Sequence, residues 1–490
     1  MKNFIDKFFH ISEKKSSLKS EIIGGLITFV AMCYILPVNA SILSAMGMNT
    51  LGVFAMTAIV GALVTFIMGF VANYPVVLSA GMGLNAYLAY TICLGSGYTW
   101  QQGMILLTIS GLLFFAFSLT PVRKIIIESI PKDIKLIISS ALGAFICFVG
   151  LRNSGIIVEG ATLVELSSLL NPSTIIALIT VFLCFALMFS KNKIISTLAI
   201  PICILIAAVA GVITSSIMIK TGTIVSQNGI WVYTSDILKN FECKLPIAPW
   251  LDSSVKWGMN GVKDVFMYGL FTDSYNGKQF GADIAKVLTS PTSYVAIFSL
   301  MFVNLFDTTA TLLAVGRNTG IIDENGKMKN YQKAVLADAI GAGICGPLGT
   351  STVTSFAESN VGVEMGAKTG FAAVIAGLMF LLSAFIYPVF SIFTAGSVTA
   401  PALVCVGAMI FVGNFKDIDF KDRIVAFTGF ITVIFSLLTY SIASGIGLGL
   451  ISYVLMMLIA RRGKEISTPI YVVSALFVVS FVLSAIMPLL

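Results

Sequence analysis

Apolar runs long enough to cross a bilayer alternate along this chain with short polar breaks. A helix needs about 20 apolar residues to span the hydrocarbon core. The pattern predicts spans at Ile22–Met46, Leu51–Ala72, Gln101–Leu119, Ile134–Leu151, Ser173–Ser190 and Ile194–Ile219. A polar stretch over 220–290 follows, in which Val262–Leu270 reads as a short helix lying on the membrane. Further spans are expected at Ser293–Val315, Phe371–Phe393, Ala400–Val412, Ile424–Tyr440 and Gly445–Ala460, with a shorter segment at Ala334–Cys345.

Two stretches at membrane depth do not fit an ordinary span. Ala80–Tyr90 reads AGMGLNAYLAY, broken by glycine and carrying a lone amide, Asn85. Gly349–Gly366 reads GTSTVTSFAESNVGVEMG, rich in hydroxyls, with Glu358 in its middle. Polar groups facing lipid are too costly unless satisfied internally, so such backbone belongs where it is buried in protein or lines a cavity. Short, Gly-interrupted segments in corresponding positions of two halves point to a transporter site built from half-helices. The alternative is a pair of interfacial loops or close helix contacts through glycine. Counting both stretches as elements gives fourteen, seven in each half. An odd-numbered repeat enters the membrane in opposite orientations, which makes the repeat inverted. Ile470–Leu490 is also apolar enough to span. It reads as a fifteenth element, as a sign that two late elements share one span, or as a tail along the surface.

Composition narrows the class. The chain of 490 residues is 57% hydrophobic and 11% charged, against about 25% charged in soluble domains. Its net charge of +7 reflects basic loops that set topology and implies no nucleic-acid partner. Arg123, Lys124, Lys191 and Lys193 fall on the side of the basic N-terminal tail. The positive-inside rule makes that side cytoplasmic. No cleavable signal peptide is expected, because the first apolar run is too long and lacks a small-residue cleavage site. Eight scattered cysteines form no CxxC or Cys/His cluster, and the one histidine, His10, lies in the tail. Neither a disulfide framework, a metal site nor a cofactor is indicated. No nucleophile–His pair or phosphate loop suggests an enzyme.

Any proton chemistry at depth then falls to carboxylates. Asn304 and Asp307 are three apart and share a helix face, with Thr308, Thr309 and Thr311 following. Intramembrane ionisable residues are functional candidates by default. Glu358 is the first of these. Asp307 serves equally as a structural hydrogen-bond acceptor for a neighbouring helix. Asp338 reads as capping or packing as readily as transport, and Glu364, close to Lys368, as solvated.

Several runs together resemble a known family. They are GGLITFVAMCYILPVNASILSAMGM at Gly24–Met48, ANYPVVLSAGMGLNA at Ala72–Ala86, GMGLNAYLAY at Gly81–Tyr90, LFDTTATL at Leu305–Leu312, GTSTVTSFAES at Gly349–Ser359 and LTYSIASGIGLGLISYVL at Leu438–Leu455. In that order they are similar to the AzgA-like purine permeases of the nucleobase–ascorbate (xanthine/uracil permease) superfamily. The similarity covers most of the chain outside 220–290.

The resemblance implies an all-α polytopic membrane protein, a 14-helix 7+7 inverted repeat in which short strands precede half-helices 3 and 10. It implies a cytoplasmic tail at 1–20, a core domain from 21–120 and 291–395, a gate domain from 121–219 and 396–490, and an extracellular insertion at 220–290. The expected activity is import of guanine, hypoxanthine or adenine across the cytoplasmic membrane by proton symport with an elevator-like movement, with a homodimer formed through the gate domain. Carried over residue by residue, Asn85, Asn304, Phe356, Ala357 and Glu358 would face the base, and Glu358 and Asp307 would serve proton coupling.

Four positions depart from the family pattern. Asn304 stands where FVDLFDT has its first Asp, Phe356 stands for the usual Tyr, and Asn360 and Glu364 replace small residues. An amide can donate and accept but cannot carry a proton, so Asn304 leaves room for a differently substituted base. The alternatives are a transporter of another nucleobase or of an organic anion, or an anion channel or exchanger of related architecture.

Overall fold

The computed structural model describes residues 2–120, 131–160, 163–192, 195–196, 198–221, 262–267, 282–319, 330–356, 358–386, 390, 396–439 and 441–486. Arg123, Lys124, Lys193, Ala357 and most of the 220–290 stretch lie outside these residues.

The first half begins with an amphipathic helix, α1 (Lys2–Phe9). The first span is broken into α2 (Leu18–Met32) and α3 (Ile35–Ser44). The second is α4 (Thr50–Ile67), which runs on to Ala72 in a wider turn. The third is strand β1 (Leu78–Ala80) followed by α5 (Met82–Ala86), which loosens into a π-helix over Tyr87–Gly95. Then come α6 (Trp100–Leu119), α7 (Lys132–Asn153), a hairpin of β2 (Ile157–Gly160) and β3 (Leu163–Leu166), α8 (Pro172–Met188) and α9 (Ala199–Thr221).

The second half repeats the order. An amphipathic α10 (Ala282–Thr289) precedes α11 (Pro291–Thr319) with a bend of 87° between them. Next are α12 (Tyr331–Ile344), β4 (Val353–Ser355) with α13 (Ser359–Glu364), and α14 (Gly370–Ser383). The half ends in α15 (Gly396–Phe415), α16 (Arg423–Leu438) and α17 (Ile442–Ile459). Among the described residues, six helices are long and apolar enough to span by themselves. Shorter apolar helices include Pro172–Met188, Gly370–Ser383 and Arg423–Leu438.

The apolar tail folds as a separate helix, α18 (Thr468–Ile486). It packs along α17 and α11, with Phe477 set edge-on to Phe298 at 5.5 Å. It stands beyond the fourteen elements counted from the sequence. Val262–Met267 does not lie free on the membrane. Val265 is buried, the Met267 amide donates to the Pro347 carbonyl at 2.6 Å, and the Asn49 amide donates to Asp264 at 2.7 Å. This part of the insertion is seated on the chain just ahead of β4.

Packing follows the repeat. The pair α4–α14 is matched by the pair α6–α12, and α8–α15 by α7–α16. At the centre α7 meets α15 through glycine. A Cβ built on Gly143 would lie 2.5 Å from the Phe411 nitrogen and 2.8 Å from the Gly407 oxygen, and one on Gly407 would strike the Gly143 oxygen and the Cys147 backbone. These backbones touch because neither residue has a side chain. A loop bundle closes one end. Asp422 caps α16 by accepting the Ile424 amide, and Arg462, beyond α17, donates to it at 2.7 Å.

Gly143→Val is expected to lower the melting temperature of the purified protein, because overpacking a close contact costs about 1–3 kcal/mol. Gly413→Ala, on α15 but facing open space, is the control and should leave it unchanged. Equal effects would mean that the close approach carries no energetic weight. A second expectation concerns acid. The Arg462 hydrogen bond holds the Asp422 carboxyl below its ordinary range. A depressed folded value means that the stability it contributes is present at neutral pH and is lost as pH falls through that value, below about pH 4. Asp422→Asn should therefore melt below wild type at neutral pH, and the gap should close on acidification. A gap independent of pH would assign the loss to capping alone.

Candidate functional site: a strand crossing above a carboxylate-lined cavity

The chain enters β1 after Asn73, whose φ of 55° ends the preceding helix in the left-handed region, and after Pro75, which cannot continue one. It enters β4 after Pro347 and after Gly349, whose φ is +73°. Val353 and Thr354 are β-branched and favour the extended form. The strands pair antiparallel, Leu78 with Ser355, Ser79 with Thr354 and Ala80 with Val353. The Gly81 amide extends the ladder to the Thr352 carbonyl at 2.8 Å, and the Phe356 amide to the Val77 carbonyl at 3.0 Å. Side chains complete it. Ser359 Oγ accepts the Val77 amide at 3.0 Å, and Thr65 Oγ1 accepts the Leu78 amide at 3.0 Å.

Beside the crossing lies a cavity of about 490 Å³, within the range of small-molecule sites. One wall carries the acids and hydroxyls: Thr354, Ser355 and Glu358 of the tenth element and Asp307 with Thr311 on α11, beside Gly81–Leu84 of the third element and Phe356. The facing wall is apolar, with Leu142 and Ile146 from α7, Val406 and Ile410 from α15, and Ile442 and Ile446 from α17. Met188, Ser196 and Asn414 lie at one end.

Glu358 is half-buried and reaches this cavity. Its Oε1 accepts the Tyr34 hydroxyl at 2.9 Å. Tyr34 sits in the break between α2 and α3, so the interruption of the first span delivers this hydroxyl. Asp307 Oδ2 accepts the Thr354 hydroxyl at 3.1 Å. Behind it, fully buried Asp338 on α12 accepts Thr308 at 2.5 Å and Ser355 at 3.0 Å. One hydroxyl run thus holds two acids, one on the cavity wall and one behind it.

The other candidates are placed differently. Val303, Asp307 and Thr311 form the cavity-lining row on α11, spaced four apart. Asn304 and Thr308, one residue further on, turn toward the protein interior. Asn304 is buried and does not line the cavity, and its Oδ1 has no hydrogen-bond partner among the described residues. Asn85 also lies off the cavity wall. Its amide donates to Asn39 Oδ1 at 2.9 Å, and Asn39 in turn donates to Thr57 at 2.8 Å and Thr350 at 3.2 Å. This buried network joins elements 1, 2, 3 and 10. Phe356 lines the cavity, and Ala357 lies outside the described residues. Sequence reasoning passed over Tyr34 and Asn39, and left Asp338 undecided. An acid inside AVLADAIGA, or an amide inside YILPVNAS, was a usable signal because buried polar groups at that depth need partners.

Comparisons with known proteins agree on the kind of molecule. A family model described as the permease family, of the xanthine/uracil permease type, matches residues 19–448. The chain is 34% identical to the guanine/hypoxanthine permease PbuG of Bacillus subtilis (strain 168), over 97% of this chain and 99% of that one. It is 30% identical to the adenine permease AdeP of Escherichia coli (strain K12), over 98% and 96%. Among solved structures, the transmembrane domain of the cyanobacterial bicarbonate transporter BicA matches with a TM-score of 0.55 at 14% identity, covering 87% of this chain and 97% of that one. At that identity it shares the fold alone.

Asn39→Ala is expected to destabilise the protein more than Asn85→Ala. Each buried group left without a partner costs about 1–3 kcal/mol. Asn39 serves three partners, whereas the Asn85 amide serves one. Thermal unfolding in detergent measures both. The reverse order would show that the network does not tie the four elements together.

Proposed function

Since the chain belongs to the permease family of the xanthine/uracil type, we propose that it imports purine nucleobases, guanine, hypoxanthine or adenine, across the cytoplasmic membrane by proton symport. The observation that carries this reading is the cavity with Glu358 on its polar wall and branched aliphatic side chains opposite. A purine is flat, apolar on its faces and lined with N–H donors and ring acceptors at its edge. The aliphatic wall suits the face. With Oε1 occupied by Tyr34, the second oxygen of Glu358 is the acceptor for a ring N–H. The guanine/hypoxanthine and adenine permeases among its relatives support the same class of cargo. Two carboxylates on the cavity wall speak against an anion as cargo, since like charge at short range in a medium of low dielectric is costly.

Coupling falls to Glu358 and Asp307, because Asn304 cannot take up a proton. A protonated carboxylate and a bound base would jointly favour a closed state, from which the core domain (21–120 with 291–395) moves past the gate domain (121–219 with 396–490) in an elevator-like step. The N-terminus lies in the cytoplasm in this scheme, and the gate domain is the surface through which two copies would pair. Asn304 and Asn85 contribute from behind the wall, by shaping α11 and the third element, rather than by direct contact.

Uptake of labelled adenine, guanine, hypoxanthine and uracil into proteoliposomes tests this. Purine uptake should require an inward proton gradient and be lost in Glu358→Gln. Tyr34→Phe should raise KM about tenfold, the equivalent of 1.4 kcal/mol, because the carboxylate loses its fixed orientation. Asn304→Asp should alter the preference among purines. Uptake of no base by folded protein, or uptake indifferent to Glu358, would overturn the reading.

A further inference from the structure

The N-terminal segment carries an aromatic surface that the described residues leave largely exposed. On the inner face of α1, Phe9 is buried against Phe70 at 5.8 Å and Phe371 at 5.4 Å. The chain beyond it is fastened to the ends of elements 2 and 11. Lys14 Nζ donates to the Asn73 and Lys368 carbonyls at 3.1 and 3.3 Å, Ser16 to the Gly366 carbonyl at 2.9 Å, and Asn73 to the Phe9 carbonyl at 2.8 Å. On the outer face, Phe4 is 72% and Phe8 49% exposed. Their rings stack at 6.4 Å, and Phe8 meets the half-exposed Phe70 at 6.2 Å. Phe70 and its exposed neighbour Val71 end the span Thr50–Ala72. The exposed apolar surface of that span therefore continues without a gap onto α1.

We infer that α1 is an interfacial anchor that docks on a bilayer surface bearing anionic headgroups. Exposed apolar side chains on a spanning helix face lipid as a matter of course, but α1 lies outside the spans. Without the bilayer, Phe4 and Phe8 would stand in water. An amphipathic helix of this kind lies in the interface with its apolar face in the acyl boundary. The charge selects the headgroup. Residues 1–20 hold five lysines against Asp6 and Glu13. Lys7, Lys15 and Lys19 are exposed. Of the acids, Asp6 is engaged by Ser12 through its amide and hydroxyl at 2.8 and 2.7 Å, and Glu13 lies 3.0 Å from His10. Basic segments next to a membrane are drawn to anionic lipid. Because the anchor is bonded to elements 2 and 11, lipid held by α1 steadies those helix ends. The inference is independent of what the protein carries.

Phe4→Trp in vesicles gives a direct readout, taken as the fluorescence difference from wild type. Chain-brominated anionic lipid should quench most of that signal, and aqueous iodide should not. Accessibility to iodide without quenching by the brominated chain would overturn the anchor. The second arm tests charge. Replacing neutral with anionic phospholipid should raise the melting temperature of wild type at low salt. The rise should vanish in the triple variant Lys7→Glu, Lys15→Glu, Lys19→Glu, and at 1 M salt, where the Debye length is about 3 Å. A rise that survives both would overturn the headgroup assignment.

Discussion

A bilayer has no water with which to satisfy backbone that is not helical, and the two chain breaks of this protein answer that requirement with each other. Strands β1 and β4 are three residues each, far too short to be stable alone. Antiparallel pairing across the molecule satisfies their inner edges, and the Ser359 and Thr65 hydroxyl oxygens accept the Val77 and Leu78 amides. Unpaired, each group would cost several kcal/mol at that depth. The hydroxyl-rich sequence at Gly349–Ser359 follows from the same need. So does the inversion of the repeat, because two equivalent strands related by a two-fold axis in the membrane plane meet antiparallel.

The same hydroxyls set the electrostatics of the cavity wall. Thr354 reaches Asp307 while Ser355, next along the strand, reaches Asp338 on the other face. Alternation along a strand sends neighbouring side chains to opposite sides. One acid therefore borders the cavity and the other lies behind it, although both are served by a three-residue strand. Thr308 donates to Asp338 from the same helix that presents Asp307. A change at either acid is thus felt by α11, α12 and the strand together.

Much of this was legible in the sequence, and what was missed has a physical cause. The two Gly-broken stretches marked where the chain leaves ordinary helix, because polar, irregular backbone at depth is tolerated only inside protein or along a cavity; the short strands were implied by the family resemblance, and their pairing was not foreseen. The same argument singled out Glu358, which lines the cavity. Which neighbours share its cavity was not legible. Asn304 and Asp307 are three apart and so lie on adjacent rows, but the cavity is lined by the row through Val303, Asp307 and Thr311. A rotation of the helix by one position decides this, and periodicity alone does not fix it where several polar residues follow one another. Asn85 shows the same limit, since its neighbour Leu84 lines the cavity while its own amide turns to Asn39. Tyr34 was invisible because its role depends on a break within an otherwise continuous apolar run. The separate helix at Thr468–Ile486 was left open because length and hydropathy do not tell a spanning helix from one that packs beside two others.

The cavity is not symmetric, although the scaffold around it nearly is. α7 and α8 are consecutive and antiparallel, so Met188, at the end of α8, lies toward the start of α7. Asn414, near the end of α15, lies at the same end, because Phe411 of α15 meets Gly143 and Val404 meets Gly150. The cavity reaches that end. At the other end, α7 closes on α15 where Gly150 meets Val404. One end is thus lined by small or flexible side chains, and the other is held by close backbone packing. The β1–β4 ladder is a joint of another kind. Separating its strands would leave several backbone groups unpaired at once, at several kcal/mol each at that depth. It is therefore the stiffest joint beside the cavity.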